Sequence, residues 1–347
     1  MDPRRSFAEQ VVRQLLDAGY IALWAGGCVR DLLLERSPRD YDVATNARPE
    51  QVREVFGQRR TLAVGESFGV ICVLGPSKAA GQVEVATFRN DGQYIDGRRP
   101  QSIEFSSPEE DAQRRDFTIN GMFYHPVDQK VLDYVGGQAD LKRRVIRAIG
   151  HPQDRMREDK LRMLRGVRFA ATFEFEMDQQ TAAAIESMSA ELAAVSAERI
   201  THELRRMLTH WNRATAIRLC RTLKLLPGVL PELHTIAEQE SDWEQLENGL
   251  QRLGETRFPV SLALILGAVF DAEGAASGSQ AVAAVRKAGR RLRLSNEEIR
   301  DVSWLVANRH GLDDAPRISL ARLKRTLNAP LCADLESFHI PTEPPGI

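Results

Sequence analysis

Apolar positions along the first 150 residues switch repeatedly between a helical period and the period of a strand. Phe7, Val11, Val12, Leu15 and Leu16 share one face of a helix predicted over roughly 7–18, and Gly19 stops it. YIALWA then reads as a buried strand that meets the pair Gly26-Gly27, and VRDLLLE beyond it has helical character. YDVAT, GVICVLG, QVEVATF, QSIEF and KVLDYV are further strand candidates. After YDVAT, Pro49 suits a first helical position and Gly57 lies just past that helix's end. The pattern predicts a small α+β domain on a mixed sheet over residues 1–150.

Beyond Gly150 the strand signals disappear. A densely charged stretch over 154–169, with Met156, Leu161, Met163, Leu164 and Val167 as its apolar positions, predicts a helix. Further helical patterns cover 178–194, 196–208, 213–225, 258–270, 279–291 and 295–308, with breaks at Pro227, Pro231 and Pro259. Internal repeats and low-complexity runs are absent. The expected organisation is a head (1–150), a helical neck (151–225) and a helical body and tail (226–347), with PTEPPGI as a frayed end.

Composition adds limits. The 347 residues are 43% apolar and 27% charged with a net charge of -1, which excludes disorder as the main theme. Neutrality excludes a histone-like coat for nucleic acid but leaves room for a local basic track. Residues 281–325 hold eleven Lys/Arg against five Asp/Glu, Arg290, Arg291 and Arg293 among them, against the alternative of ordinary solvated helix surface. The most apolar run, 260–270, is about half a membrane span. MDPRRSFAEQ lacks the apolar stretch of a secretory signal. Cys28, Cys72, Cys220 and Cys332 lie far apart without metal-ligand spacing, so free thiols in a reducing cytoplasm are expected.

Candidate chemistry concentrates in the head. Asp40 and Asp42 form a D-x-D whose carboxylates a strand would place on one face, a donor pair suited to Mg²⁺. About one such D-x-D is expected by chance in a chain of this size, and a solvated edge pair would look the same. Gly26-Gly27 upstream adds weight, because glycines let backbone N–H groups approach a phosphate at a helix start. Arg30 on that first turn can bond a triphosphate, whereas Asp31 reads as structural. Glu84 sits mid-strand between apolar residues, either as a third acid beside the D-x-D or as a solvent-facing one. Residues 90–100 form a glycine-rich charged connector. Next, Arg114, Arg115 and Asp116 precede Thr118 and Asn120, a cluster able to hold phosphates and a ribose, or else a surface helix end with i,i+4 pairs. DYVGG reads as a hinge or linker whose one candidate catalytic group is Asp133. Asp159, Arg162, Arg165 and Arg168 recur every three residues, either as a charged face or as acceptor and donors for the edge of a base.

Taken in order, GGCVRD, DYD, EVATFR, RRDFTIN, DYVGG and EDKLRMLRGVRF resemble the class II tRNA nucleotidyltransferase/poly(A) polymerase family, an offshoot of the polymerase-β-like nucleotidyltransferases. SAERITHELRRML, Ser196 to Leu208, resembles a further family element, so the likeness runs over more than half the chain. The resemblance implies an α+β polymerase-β-like head followed by an all-helical neck, body and tail. It implies Mg²⁺ at Asp40 and Asp42, triphosphate contacts from Gly27, Arg30, Arg165 and Arg168, and nucleotide contacts from Arg115 and Asp116. Asp159 and Arg162 would select the nucleotide, and Glu84 falls where a supporting acid often sits. Implied partners are tRNA, ATP and CTP, with no membrane and no obligate protein partner.

Family members differ in product: CCA, CC alone, the terminal A alone, or poly(A). The poly(A) branch tends to carry a basic G-[RK]-[RK]-F element where this chain has Glu66 and Ser67, which weighs against that product. An intact connector over 90–100 favours an enzyme that finishes the terminal A. An inactive RNA-binding derivative is the alternative without chemistry, and retention of both Asp40 and Asp42 argues against it. Nucleotidylation of a protein or small molecule is disfavoured by the helical body.

Overall fold

Most of the strand runs of the head pair into one sheet, QVEVAT with alternating burial and ALWA buried throughout. The computed structural model describes residues 2–65, 69–91, 103–274, 278–312 and 319–338. Two units divide it: residues 1–159 with 176–181, and residues 160–175 with 182–347.

In chain order the first unit runs α1 (Pro3–Asp17), β1 (Ala22–Ala25), α2 (Gly27–Leu33), β2 (Asp42–Thr45), α3 (Pro49–Phe56), β3 (Thr61–Gly65), β4 (Val70–Leu74) and β5 (Gln82–Thr87). It continues with β6 (Arg89–Asp91), β7 (Ile103–Phe105), α4 (Pro108–Gln113), β8 (Phe123–His125), β9 (Lys130–Leu132), α5 (Gly137–Arg143), β10 (Val145–Ile146) and α6 (Pro152–Glu158). Seven strands form the sheet in the order β3-β4-β5-β2-β1-β8-β9. All neighbours are antiparallel except β2 and β5, whose parallel pairing needs the crossover that α3 supplies.

Register sorts the two faces. Trp24, Val43, Val85 and Ile71 lie in one row and face α1 and α3, where Phe7, Val11, Val12 and Leu15 of α1 are buried. On the other face Leu23, Ala25, Ala44, Phe88 and Phe123 form a core with Ala112 of α4. Ala25, Asp42, Glu84 and Cys72 make a row across four strands of that second face, so the head's acids leave the sheet side by side.

Several local expectations need correction. TLAVG (β3) and FYH (β8) pair in the sheet although neither stood out in the sequence, and the IEF of QSIEF pairs with β6 in a separate ribbon. DYVGG is a packed turn, not a linker: Asp133 accepts backbone N–H bonds from Val135, Gly137 and Gln138, and a Cβ on Gly137 would sit 2.3 Å from the Thr118 carbonyl. The helix predicted over 154–169 is two helices. α6 ends at Glu158, Asp159 is extended (φ -145°, ψ 104°), and the next helix starts at Arg162.

The chain then runs α7 (Arg162–Phe173), β11 (Glu176–Met177), α8 (Gln179–Met188), α9 (Ala197–Leu208), α10 (Arg213–Thr222), α11 (Leu226–Val229), α12 (His234–Ala237), α13 (Glu240–Arg252), α14 (Phe258–Ala272), α15 (Gly278–Arg291), α16 (Asn296–Asn308), α17 (Leu320–Leu327) and α18 (Cys332–Glu336). β11, a strand beyond Gly150, pairs in parallel with β10 of the first unit, to which it belongs. In the second unit α9 and α10 pack on α7, and α14, apolar nearly all round, packs between α13 and α16. Arg213 is wholly buried and ends two helices at once, donating to the carbonyls of Leu208, Leu250, Leu253 and Gly254. Among the described residues no helix is long and apolar enough to cross a membrane.

Candidate functional site

The turn between β1 and α2 can be made only by glycine. Gly26 has φ +73° and ψ -126°, conformations that a side chain forbids, and a Cβ there would fall 3.0 Å from Nη1 of Arg115. Gly27 opens α2, whose first-turn N–H groups have no helical acceptor. Arg30, nearly buried on that turn, donates from Nη1 to Asn120 Oδ1 (2.6 Å) and from Nε and Nη2 to Asp31 Oδ1 (2.9 and 2.7 Å). Asp31 thus has the structural role its position suggested.

Asp42 begins β2, and Asp40 lies two residues earlier; both are exposed. Asp42 lies in register with Glu84 of β5, which is also exposed, so Glu84 is the solvent-facing acid and it stands next to the D-x-D. Protein surrounds Asp42 closely even though solvent reaches it. That partial burial, then the charge of Glu84, and then that of Asp40 push its carboxyl up to about 6, against the pull of Arg115. The same acid, after burial itself, raises the thiol of Cys72. Crowded carboxylates of this kind fit a divalent cation, which would relieve their repulsion. Among the described residues no group of three or more His, Cys, Asp or Glu is placed to hold a metal ion by itself. Two acids with the remaining positions left to phosphate and water match Mg²⁺ better than an all-protein site would.

Arg115 lies against the glycine turn, near enough to Asp42 for its charge to act on that carboxyl. Its Nε and Nη2 donate to Asp111 Oδ2 (3.1 and 2.9 Å), its Nη1 donates to the Asn120 carbonyl (3.4 Å), and its guanidinium lies 5.0 Å from the Phe123 ring centre. Asp116 accepts from the Phe117 N–H (2.8 Å) and from Asn120 Nδ2 (3.1 Å). Asn120 therefore ties Arg30, Arg115 and Asp116 together. Sequence reasoning passed over Asp111, which is 1% exposed. Its signal was present in D-A-Q-R-R, because acid and arginines at i, i+3 and i+4 meet on a helix end, but that spacing does not reveal burial.

In the second unit Arg162 is the first residue of α7 and is buried, while Arg165 is half-buried. Arg168 is 4% exposed, donates from Nε to Glu203 Oε2 of α9 (2.5 Å) and lies over the Phe169 ring at 4.0 Å. Burial lowers its guanidinium to about 10 against the charge of Glu203. Its acid partner comes from another helix, where a search four residues upstream could not find it. Asp159, at the end of α6, is not on the same helix as the three arginines.

The basic track divides. Arg290 and Arg293 are exposed, whereas Arg291 is bonded through Nε and Nη2 to Glu232 (3.2 and 2.7 Å) and through Nη1 to the Val229 carbonyl (3.2 Å). Arg291 is a structural tie. Glu66, Ser67, residues 92–100 of the connector and the PTEPPGI tail lie outside the described residues.

Known proteins resemble this chain in its head and in the helices that follow. Residues 22–147 match the family model described as the poly A polymerase head domain, and residues 174–236 match the probable RNA and SrmB-binding site of polymerase A. The chain is 45% identical over 199 residues to the CCA-adding enzyme of Bacillus subtilis, covering 57% of this chain and 49% of that one. It is 39% identical over 223 residues to the CCA-adding enzyme of Streptococcus pyogenes, covering 63% of this chain and 54% of that one. The chain thus spans about half the length of the curated relatives it matches. Among solved structures it is similar to the Bacillus stearothermophilus CCA-adding enzyme in complex with CTP, with a TM-score of 0.79 and 28% identity over 97% of this chain and 78% of that one. The Thermotoga maritima CCA-adding enzyme complexed with tRNA, at 19% identity and a TM-score of 0.68 over 96% and 77% of the two chains, shares the fold. The chain belongs to the class II tRNA nucleotidyltransferase/poly(A) polymerase family.

Proposed function

We propose that this protein is a tRNA nucleotidyltransferase that adds the 3′-terminal CCA, taking C from CTP and A from ATP without a nucleic-acid template. The observation that carries the reading is the row Asp42–Glu84 standing beside the Gly26 turn, with Arg115 across it. That set of groups suits a nucleoside triphosphate with its metal ion. Likeness to CCA-adding enzymes, one of them described in complex with CTP, supports the choice of nucleotides.

In this reading the RNA 3′-hydroxyl attacks the α-phosphate, a new phosphodiester forms, and pyrophosphate leaves. Asp40 and Asp42 would hold Mg²⁺, which supplies charge neutralisation at the phosphates. Glu84 adds negative field beside that pair. Gly27 and Arg30 bind the triphosphate at the start of α2, and Arg115 and Asp116 contact the nucleotide. Asp159 and Arg162 read the base edge as acceptor and donor. Arg165 contacts phosphate, and Arg168, held by Glu203, supports it from within the helix packing. The neck over 151–225 selects the nucleotide, and the body over 226–347 binds the acceptor arm of tRNA through exposed cations, Arg290 and Arg293 among them.

Product length tests the proposal. A tRNA transcript lacking CCA, given CTP and ATP with Mg²⁺, should grow by three nucleotides and stop. Continued addition of A would instead assign poly(A) polymerase, and no growth would support the inactive derivative.

A further inference from the structure

Asp111 accepts from two arginines and one backbone N–H. Its Oδ2 takes Nε and Nη2 of Arg115, at 3.1 and 2.9 Å. Its Oδ1 takes Nε of Arg114 (2.8 Å) and the backbone N–H of Arg89 at the start of β6 (3.3 Å). The carboxylate is buried. Burial alone would raise its pKa, yet Arg115 and Arg114 hold it below the ordinary value, so it stays ionised.

The two ends of Arg115 then have separate tasks. The Nε edge is fixed to Asp111, and Nη1 lies over Gly26, close enough that a Cβ there would be 3.0 Å away. A guanidinium is planar and rigid, so an acid holding one edge fixes where the other edge points. Asn120 accepts from Nη1 through its carbonyl and from Arg30 Nη1 through Oδ1, which links Arg115 to Arg30. We infer that Asp111 is a positioning residue: it holds Arg115 across the Gly26 turn so that Arg115 and Arg30 receive the nucleotide's phosphates together. This rests on the nucleotidyltransferase reading above and extends it to a residue that touches no substrate.

Two measurements test it. The first needs no ligand. In the free protein the Arg115 Nε–H should exchange slowly with water, and Asp111→Asn, which keeps the shape and removes the charge, should abolish that protection. The second is a cycle of Asp111→Asn and Arg115→Ala read by CTP binding with Mg²⁺ in a calorimeter. Asp111→Asn should weaken CTP binding about tenfold, the loss expected for a hydrogen bond to a charged group. In the Arg115→Ala background the same change should add nothing, whereas a merely structural role would weaken binding equally in both. Asp111→Glu tests rescue if the asparagine variant fails to fold. An unprotected Nε–H in the wild type, unchanged protection in Asp111→Asn, or additive losses in the cycle overturn the proposal. A wild-type protein that binds no CTP but keeps a protected Arg115 contradicts the functional reading while leaving the positioning of Arg115 by Asp111 intact.

Discussion

Asp42 and Glu84 face solvent from adjacent parallel strands, in register, with no residue between them along the hydrogen-bonded row. Partial burial, and after it the charge of Glu84, raises the Asp42 carboxyl from 3.8 to about 6. The sign of the effect on stability follows directly. The stability contributed by this group is whole below about pH 4 and is lost as pH rises through about 6. Asp42→Asn should therefore be more heat-stable than the wild type at pH 8 in the absence of metal, and equal to it near pH 4. Because solvent screens the site, the gain should be no more than about 1 kcal/mol. Thermal unfolding at the two pH values decides this, and a gap that does not grow with pH contradicts it.

Replacing either acid of the D-x-D by alanine should abolish incorporation of both CTP and ATP while leaving tRNA binding nearly unchanged. Filter binding alongside a turnover assay separates the two effects. Near-normal turnover in Asp40→Ala or Asp42→Ala would remove the metal from these residues.

The pair Arg168–Glu203 has a different kind of consequence. Both side chains are almost wholly buried, so deleting the acid leaves a charge without compensation. Glu203→Ala should cost about 3–5 kcal/mol of stability, and Glu203→Gln, which keeps an acceptor, should cost less. Denaturant unfolding gives both numbers. A loss below about 1 kcal/mol for the alanine variant would show that Arg168 finds solvent or another partner.

How much of this was legible in the residue order depends on range. Strands β1, β2, β4 and β5 followed from short apolar or alternating runs, and α3 from Pro49 and Gly57, because each signal lies within or next to the element it specifies. The D-x-D, the Gly26 turn and Arg115 were legible because their chemistry is compact in sequence. The bond from Glu203 to Arg168 spans 35 residues, and that from Arg291 to Glu232 spans 59; no local pattern encodes either. Asp159 misled for the opposite reason. Spacing by three placed it on a helix with Arg162, yet Asp159 is extended and the helix begins afresh at Arg162. Periodicity reports which side chains could share a face and is silent about a break in the backbone.

RNA binding should be mainly electrostatic and should weaken steeply as salt rises. Reversing the exposed charges at Arg286, Lys287, Arg290 and Arg293 should lower tRNA affinity and flatten that salt dependence, with affinity for free ATP unchanged. Arg291 is left out because its bonds to Glu232 hold α15 in place, so its reversal should destabilise the fold. Titration at several salt concentrations reads the slope; a slope unchanged in the fourfold variant would move the track elsewhere.

In the proposed reaction, protein side chains choose C and A. Cytosine and adenine each present an amino donor beside a ring acceptor, and guanine and uracil present the opposite order, so an acceptor at Asp159 with a donor at Arg162 can admit the first two and reject the others. Losing one such bidentate contact should cost about 1–3 kcal/mol of discrimination. Single-nucleotide extension of tRNA ending before CCA, at C and at CC, with each of the four triphosphates in turn, is the most direct measurement. The wild type should add C, C and then A, and Asp159→Ala should admit UTP or GTP relatively more often while still extending the RNA. Wild-type incorporation that follows no such order, or an Asp159→Ala protein with full selectivity at all three positions, would contradict the account.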